Sequence, residues 1–158
     1  MKRASLLTLL LSTLGLAVSL YLLSVHWGWW QAACFGVGEC EVVNTSRYSE
    51  LLGVPVALLG AGTYIAIGLS AWCIRNDWLA ARAVRVQFFL AVTGTAFSAY
   101  LTAIELFVLH AICPWCVISA LLIALTGACS LVVLRMPAFG ADASPDAVQR
   151  AADIPGGA

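Results

Sequence analysis

The sequence predicts an all-α integral membrane protein, a four-transmembrane-helix bundle with an outer (periplasmic) loop and half-helix capping the active site. Three observations lead there. Of the 158 residues, 62% are hydrophobic and only 10% charged, and mean hydropathy is +0.96; a soluble domain carries roughly 25% charged residues. Four stretches reach the length of about 20 apolar residues that a helix needs to cross a bilayer. The basic residues then fall on one side of a four-span arrangement. Lys2, Arg3, Arg75, Arg82, Arg85 and Arg135 flank the inner side, whereas the outer side has Arg47 against Glu39, Glu41 and Glu50. By the positive-inside rule both termini are cytoplasmic. The net charge is zero, which gives no footing for a nucleic-acid partner.

The first span, 4–25, is uncharged and follows Lys2 and Arg3. A signal peptide starts the same way, but its apolar region runs only about 7–15 residues and ends at a small-x-small site. No such site precedes His26 and Trp27, so the stretch is read as a retained span. Trp27, Trp29 and Trp30 form an interfacial aromatic belt at its outer end.

The outer loop, 26–53, begins with Cys34 and Cys40, which have Gly36 and Gly38 between them. Such a spacer lets two thiols meet at disulfide distance and part again. The polar run Asn44–Glu50 turns apolar at Leu51 and Leu52, the pattern of a short helix lying on or dipping into the membrane. Pro55 falls in the first turn of the second span, 54–74, where its missing N–H costs nothing. Small residues on that span (Ala57, Gly60, Ala61, Gly62, Ala66, Gly68) and on the third, 86–109 (Gly94, Ser98, Thr102), allow close helix approach. Between them runs a basic connector, with Trp72 and Trp78 marking the inner interface. The fourth span is 111–134. Residues 136–158, rich in Ala, Gly, Pro and Asp, read as a disordered cytoplasmic tail, leaving 1–135 as one membrane domain.

The chemistry gathers at Cys113-Pro114-Trp115-Cys116, at the mouth of the last span. Thiols at i and i+3 on a first helical turn share a face and can close a disulfide. A helix N-terminus also stabilises the thiolate, the species that attacks disulfides and electrophilic rings. Cys34, Cys40, Cys113 and Cys116 all fall at the outer face, where disulfides persist. Cys73 and Cys129 fall in the inner halves of their spans and read as small apolar fillers. The four outer cysteines fit a two-pair relay: the loop pair exchanges with a soluble protein, the helix pair with something in the lipid. Three other readings compete. A purely structural protein with two disulfide staples is disfavoured, because a CxxC on a first turn closes a very short loop. Structural zinc prefers tighter spacing than the loop pair has. A metal-ion carrier would set its cysteines along the membrane path rather than on one face. Glu105, the only charge within the four stretches, either hands protons to a quinone or tunes a thiol, or else is satisfied within the bundle or at the interface. Trp115, inside the CxxC, is a further candidate for contact with a quinone.

The ordered set of Cys34/Cys40, then Ser46-Arg47-Tyr48, then CxxC at the fourth span resembles the vitamin K epoxide reductase family. Phe97-Ser98-Ala99-Tyr100-Leu101 and Phe107-Val108-Leu109 also look like that family's third span. The order separates the chain from the DsbB type, where CxxC lies in the first outer loop. The resemblance implies a bacterial inner-membrane enzyme whose electron-accepting substrate is a quinone (ubiquinone or menaquinone), with no metal. It implies that a thioredoxin-like (DsbA-like) protein attacks Cys40, that Cys34 then attacks Cys113, and that Cys116 meets the quinone in an adduct or charge-transfer state. Ser46 matches a position lining the quinone or loop region. Many bacterial members carry a fused thioredoxin-like domain after a fifth span; this sequence stops without one, so either the partner acts in trans or the sequence is a piece of a longer fusion. Vertebrate members have Tyr four residues after the second CxxC cysteine, where this sequence has Ala120. Quinone reduction in support of disulfide formation is therefore the expected activity, with vitamin K epoxide reduction as the alternative.

Overall fold

The computed structural model describes residues 2–31, 33–34, 39–76 and 80–135. Trp78, the glycines between Cys34 and Cys40, and the 136–158 tail lie outside the described residues. The chain runs α1 (Lys2–His26), α2 (Cys40–Asn44), β1 (Glu50–Leu51), β2 (Val54–Pro55), α3 (Val56–Arg75), α4 (Ala80–Ile104), a π-helical turn (Glu105–Leu109) and α5 (Pro114–Leu134). Among the described residues, four helical segments are long and apolar enough to cross a membrane: Ala4–His26, Val56–Arg75, Ala80–Leu109 and Pro114–Leu134. They form a four-helix bundle in which α1 packs chiefly on α3 and α4 on α5. Large apolar side chains such as Leu14, Leu69 and Phe89 face outward, as lipid-facing surface requires.

The short helix lies earlier than the polar run Asn44–Glu50 suggests. It spans Cys40–Asn44, and the apolar end of that run is a hairpin instead. Leu52 (φ 54°) and Gly53 (φ 81°) both take positive φ, the requirement of a type I′ turn, and Glu50 pairs with Pro55. Gly53 supplies that conformation without strain, and Pro55, extended at ψ 129°, ends the strand and caps α3.

What holds α1 to α3 is a stripe of small and hydroxyl residues. Ser5, Thr8, Ser12 and Ser19 are all buried, and Gly15 continues their heptad-like spacing. In lipid the apolar effect gives helices little reason to associate, so close van der Waals contact must do it. Gly60 lies against the Ser19 hydroxyl, Gly68 against that of Ser12, and Gly15 beneath the Tyr64 ring. The hydroxyls of Thr8 and Ser12 donate back to the carbonyls of Ala4 (3.1 Å) and Leu9 (3.0 Å), so neither is left unpaired without water. Two cross-bundle bonds complete the frame. Tyr64 donates to the Ser119 carbonyl at 2.8 Å, and Gln87 Nε2 donates to Ser130 Oγ at 2.7 Å, which donates to the Thr126 carbonyl.

A Cβ at Gly15 would fall inside the Tyr64 ring, whereas one at Gly62 would meet nothing within 4 Å. Gly15→Val is therefore expected to destabilise the bundle by about 1–3 kcal/mol, the usual cost of overpacking. Gly62→Ala is expected to leave it unchanged or slightly firmer. Thermal unfolding in detergent micelles, run on both variants, checks this.

Candidate active site

The site is built where α4 gives way to α5. The third membrane segment does not end as a plain α-helix. Its last five residues, Glu105–Leu109, widen into a π-turn, and His110 takes left-handed dihedrals (φ 51°, ψ 30°). The Ala111 N–H donates back to the Glu105 carbonyl at 3.0 Å, closing the turn. The chain then runs extended to Cys113 (φ −99°, ψ 109°), the N-cap of α5, with Pro114 at the first helical position. Cys113 has no side-chain cap of its own. Instead, Glu105 Oε2 accepts the Cys113 backbone N–H at 3.0 Å, and Glu105 and Cys116 line one cavity. Glu105 is 3% exposed.

The outer loop docks onto this turn. The Glu39 N–H donates to the Ile112 carbonyl at 3.1 Å, which brings Cys40, the first residue of α2, beside Cys113. Cys40 and Cys113 have no exposed surface, and they share one buried cluster with Leu22, against which Cys34, Trp115 and Cys116 pack. Cys34 and Cys40 are joined as a disulfide with Cα atoms 6.1 Å apart, while Cys113 and Cys116 are free thiols. Cys113 lies just ahead of the membrane-spanning helix. A hydrogen bond from the Cys116 thiol holds it below the ordinary thiol range, against burial and the Glu105 charge, which push it up.

Three clamps hold the loop down. Asn44 Nδ2 donates to the Leu22 carbonyl at 3.1 Å. The His26 ring sits between the Asn44 carbonyl (3.1 Å) and the Glu50 carboxylate (3.2 Å). Trp115 Nε1 donates to the Ala33 carbonyl at 3.0 Å, and the Ala33 N–H donates to the Tyr21 hydroxyl at 2.7 Å. The Tyr21 and Trp115 rings lie 5.0 Å apart.

Beneath the loop lies a cavity of about 360 Å³, inside the range of small-molecule sites. Its walls include Cys116, Glu105, Ser46, Tyr64 and Phe97, with predominantly apolar surface between them. Ser46 faces it with a hydroxyl that donates to the Val43 carbonyl at 2.8 Å. Of the residues the sequence singles out for quinone contact, Ser46 and Glu105 line the cavity. Trp115 is not among the lining residues; it packs on Tyr21 and holds the loop next to Cys34. Cys73 and Cys129, both partly buried and unpaired, belong to neither the cavity wall nor the cysteine cluster. Among the described residues, no three His, Cys, Asp or Glu side chains form a group that could hold a metal ion.

A family model, that of the Vitamin K epoxide reductase family, matches residues 6–131. The chain belongs to that family. The matched span takes in all four membrane helices and both cysteine pairs. Membership in the vitamin K epoxide reductase family makes the protein an oxidoreductase of the thiol/quinone kind, embedded in a membrane, with a quinone or vitamin K as redox partner. The resemblance read from the cysteine order is borne out. Tyr21, Asn44 and Tyr64 are not singled out as site residues by the sequence. Each is an isolated polar residue whose partner lies many positions away, so no local spacing marks it.

Trp115→Phe keeps an aromatic ring near Tyr21 but removes the bond to Ala33. A hydrogen bond of this kind contributes about 1 kcal/mol, or roughly fivefold in an equilibrium. Reduction of the Cys34–Cys40 disulfide by dithiothreitol is therefore expected to run up to about fivefold faster in Trp115→Phe. Stopped alkylation followed by mass spectrometry measures that rate.

Proposed function

We propose that the protein is a quinone-dependent thiol oxidoreductase. It passes electrons from an extracytoplasmic thioredoxin-like (DsbA-like) protein acting in trans through Cys40 and Cys34 to Cys113 and Cys116, and then to a membrane quinone. The observation that carries this reading is one arrangement: Cys40 and Cys113 share a buried cluster, while Cys116, one turn further on, lines the cavity. Loop pair, helix pair and cavity thus lie in sequence, each within reach of the next.

Each handover is a thiol–disulfide exchange by an attacking thiolate. A thiolate of the reduced partner opens Cys34–Cys40 at Cys40, and the freed Cys34 attacks the Cys113–Cys116 disulfide at Cys113, expelling Cys116 as a thiolate. The partner's second thiol then releases it from Cys40 as an oxidised disulfide, and Cys40 attacks Cys34 to re-form the loop disulfide, leaving the electron pair on the Cys113/Cys116 dithiol. The described state, with the loop disulfide closed and the second pair free, is the one that follows this transfer and precedes quinone reduction. Cys40 is buried with the loop down, so the partner must meet a loop that has lifted. Ser46 and Glu105 stand where a quinone ring would contact the wall, and Trp115 serves the loop. The outer loop faces the periplasm, and both termini face the cytoplasm, on the distribution of Lys and Arg. Oxidising the partner in this way supports disulfide formation in secreted proteins.

The test is anaerobic absorbance of the purified protein with menadione or a ubiquinone analogue and a reduced thioredoxin-like protein. Quinone reduction is expected to be lost in both Cys40→Ala and Cys116→Ala. Dithiothreitol, small enough to reach the second pair once the loop pair is broken, is expected to restore Cys40→Ala but not Cys116→Ala. Undiminished quinone reduction in both variants would remove the cysteines from the path. Supplying vitamin K epoxide in place of quinone tests the alternative substrate.

A further inference from the structure

Reducing a quinone with a dithiol moves two protons as well as two electrons; one starts on the fully buried Cys113 and the other on the partly buried Cys116 at the cavity wall. Something must carry them. Among the described residues lining the cavity there is no Lys, Arg or His and only one carboxylate, Glu105. The Tyr64 hydroxyl is already committed to Ser119, and ordinary hydroxyls do not hold or release a proton near neutrality. Glu105 stands at both ends of the transfer: it holds the Cys113 N–H and shares the cavity wall with Cys116. Its bond to the Cys113 N–H uses one of about four acceptor positions that a carboxylate offers, so capacity for a proton remains. It also begins a π-turn, a distortion found frequently at functional sites.

We propose that Glu105 is the general base and acid of the reaction, shuttling protons from the Cys113/Cys116 dithiol to the quinone oxygens. This rests on the quinone reading above. As the Cys116 S–H bond breaks, its proton passes to the Glu105 carboxylate and then to a quinone oxygen. The Cys113 proton follows by the same carboxylate. The sulfurs join as Cys113–Cys116, their electron pair reduces the quinone to hydroquinone, and Glu105 ends ionised as it began. The titratable groups around it are the Cys113 and Cys116 thiols from the α5 side, Tyr48 of the loop and Tyr64 of α3 along the cavity, and His110 on its own segment.

The test uses Glu105→Gln, whose amide oxygen can still accept the Cys113 N–H and keep the turn. Fully reduced protein, with no partner present, is mixed anaerobically with menadione, and a single turnover is followed. In parallel, the rate of Cys116 alkylation by iodoacetamide is measured without quinone. Loss of a positioned general base is worth about 10²–10⁴-fold. Quinone reduction in Glu105→Gln is therefore expected to fall at least about 100-fold. Cys116 alkylation is expected to be no slower, because removing a neighbouring negative charge makes the thiol easier to ionise. Quinone reduction within about threefold of wild type would overturn the proposal. So would a parallel loss of quinone reduction and alkylation, which would make Glu105 a positioning residue only. Wild-type turnover that survives Cys116→Ala would instead sink the functional reading, and the same assay reports it separately.

Discussion

The structure depends on one hydrogen bond, from the Cys113 N–H to the buried carboxylate of Glu105. A carboxylate inside a membrane segment is costly unless it is satisfied, and an N-cap without its own capping side chain leaves an orphan donor. Each need meets the other. The bond spans the π-turn and the left-handed residue His110, so it fixes where α5 begins and therefore where both CxxC sulfurs lie. It also presents the Ile112 carbonyl to Glu39, which docks the outer loop and sets Cys40 against Cys113. The geometry of the cysteine cluster thus traces back to a single side chain in the third membrane segment.

The bundle beneath it answers a different constraint. Lipid is as apolar as a leucine side chain, so burying leucine between helices gains little, and the contacts of α1 with α3 rely on serine, threonine and glycine. Leu6, Leu7, Leu10, Leu14 and Leu20 of α1 face outward. Polar groups inside are largely paired in series: Gln87 Nε2 donates to Ser130, which donates to the Thr126 carbonyl, and Gln87 Oε1 is left without a partner among the described residues. A cavity remains toward the outer end, lined from α1, α3, α4 and α5, with Tyr64 in its wall.

Much of this was legible from residue order, because the signals are local. Apolar length marks the membrane helices, and the spacings of Cys34/Cys40 and Cys113/Cys116 mark the redox chemistry. Glu105 stood out as the only charge in the four apolar stretches. The rest depends on contacts between distant positions. The stripe on α1 reads as ordinary serine and threonine until Gly60 and Gly68 are set against it. Trp115 looked like a ring for stacking on a quinone because of where it sits in the motif, yet its indole N–H finds Ala33, 82 positions away. The hairpin at Leu52 and Gly53 was hidden because an apolar pair after a polar run is equally the mark of a membrane-grazing helix.

The complete burial of both Cys40 and Cys113 has an electrical consequence. A wire that carries electrons past an oxidising compartment needs insulation, or it discharges into whatever small oxidant diffuses by. With the loop seated, neither sulfur is in contact with solvent, and the hydrogen-bonded clamps around Asn44, His26 and Trp115 act as the sheath. Leakage is then limited by how often that sheath opens by itself, while, on the proposed relay, productive current enters only from a molecule able to hold the loop open. Selectivity among thiols would come from access, and the redox potential of the loop disulfide need not distinguish friend from bystander.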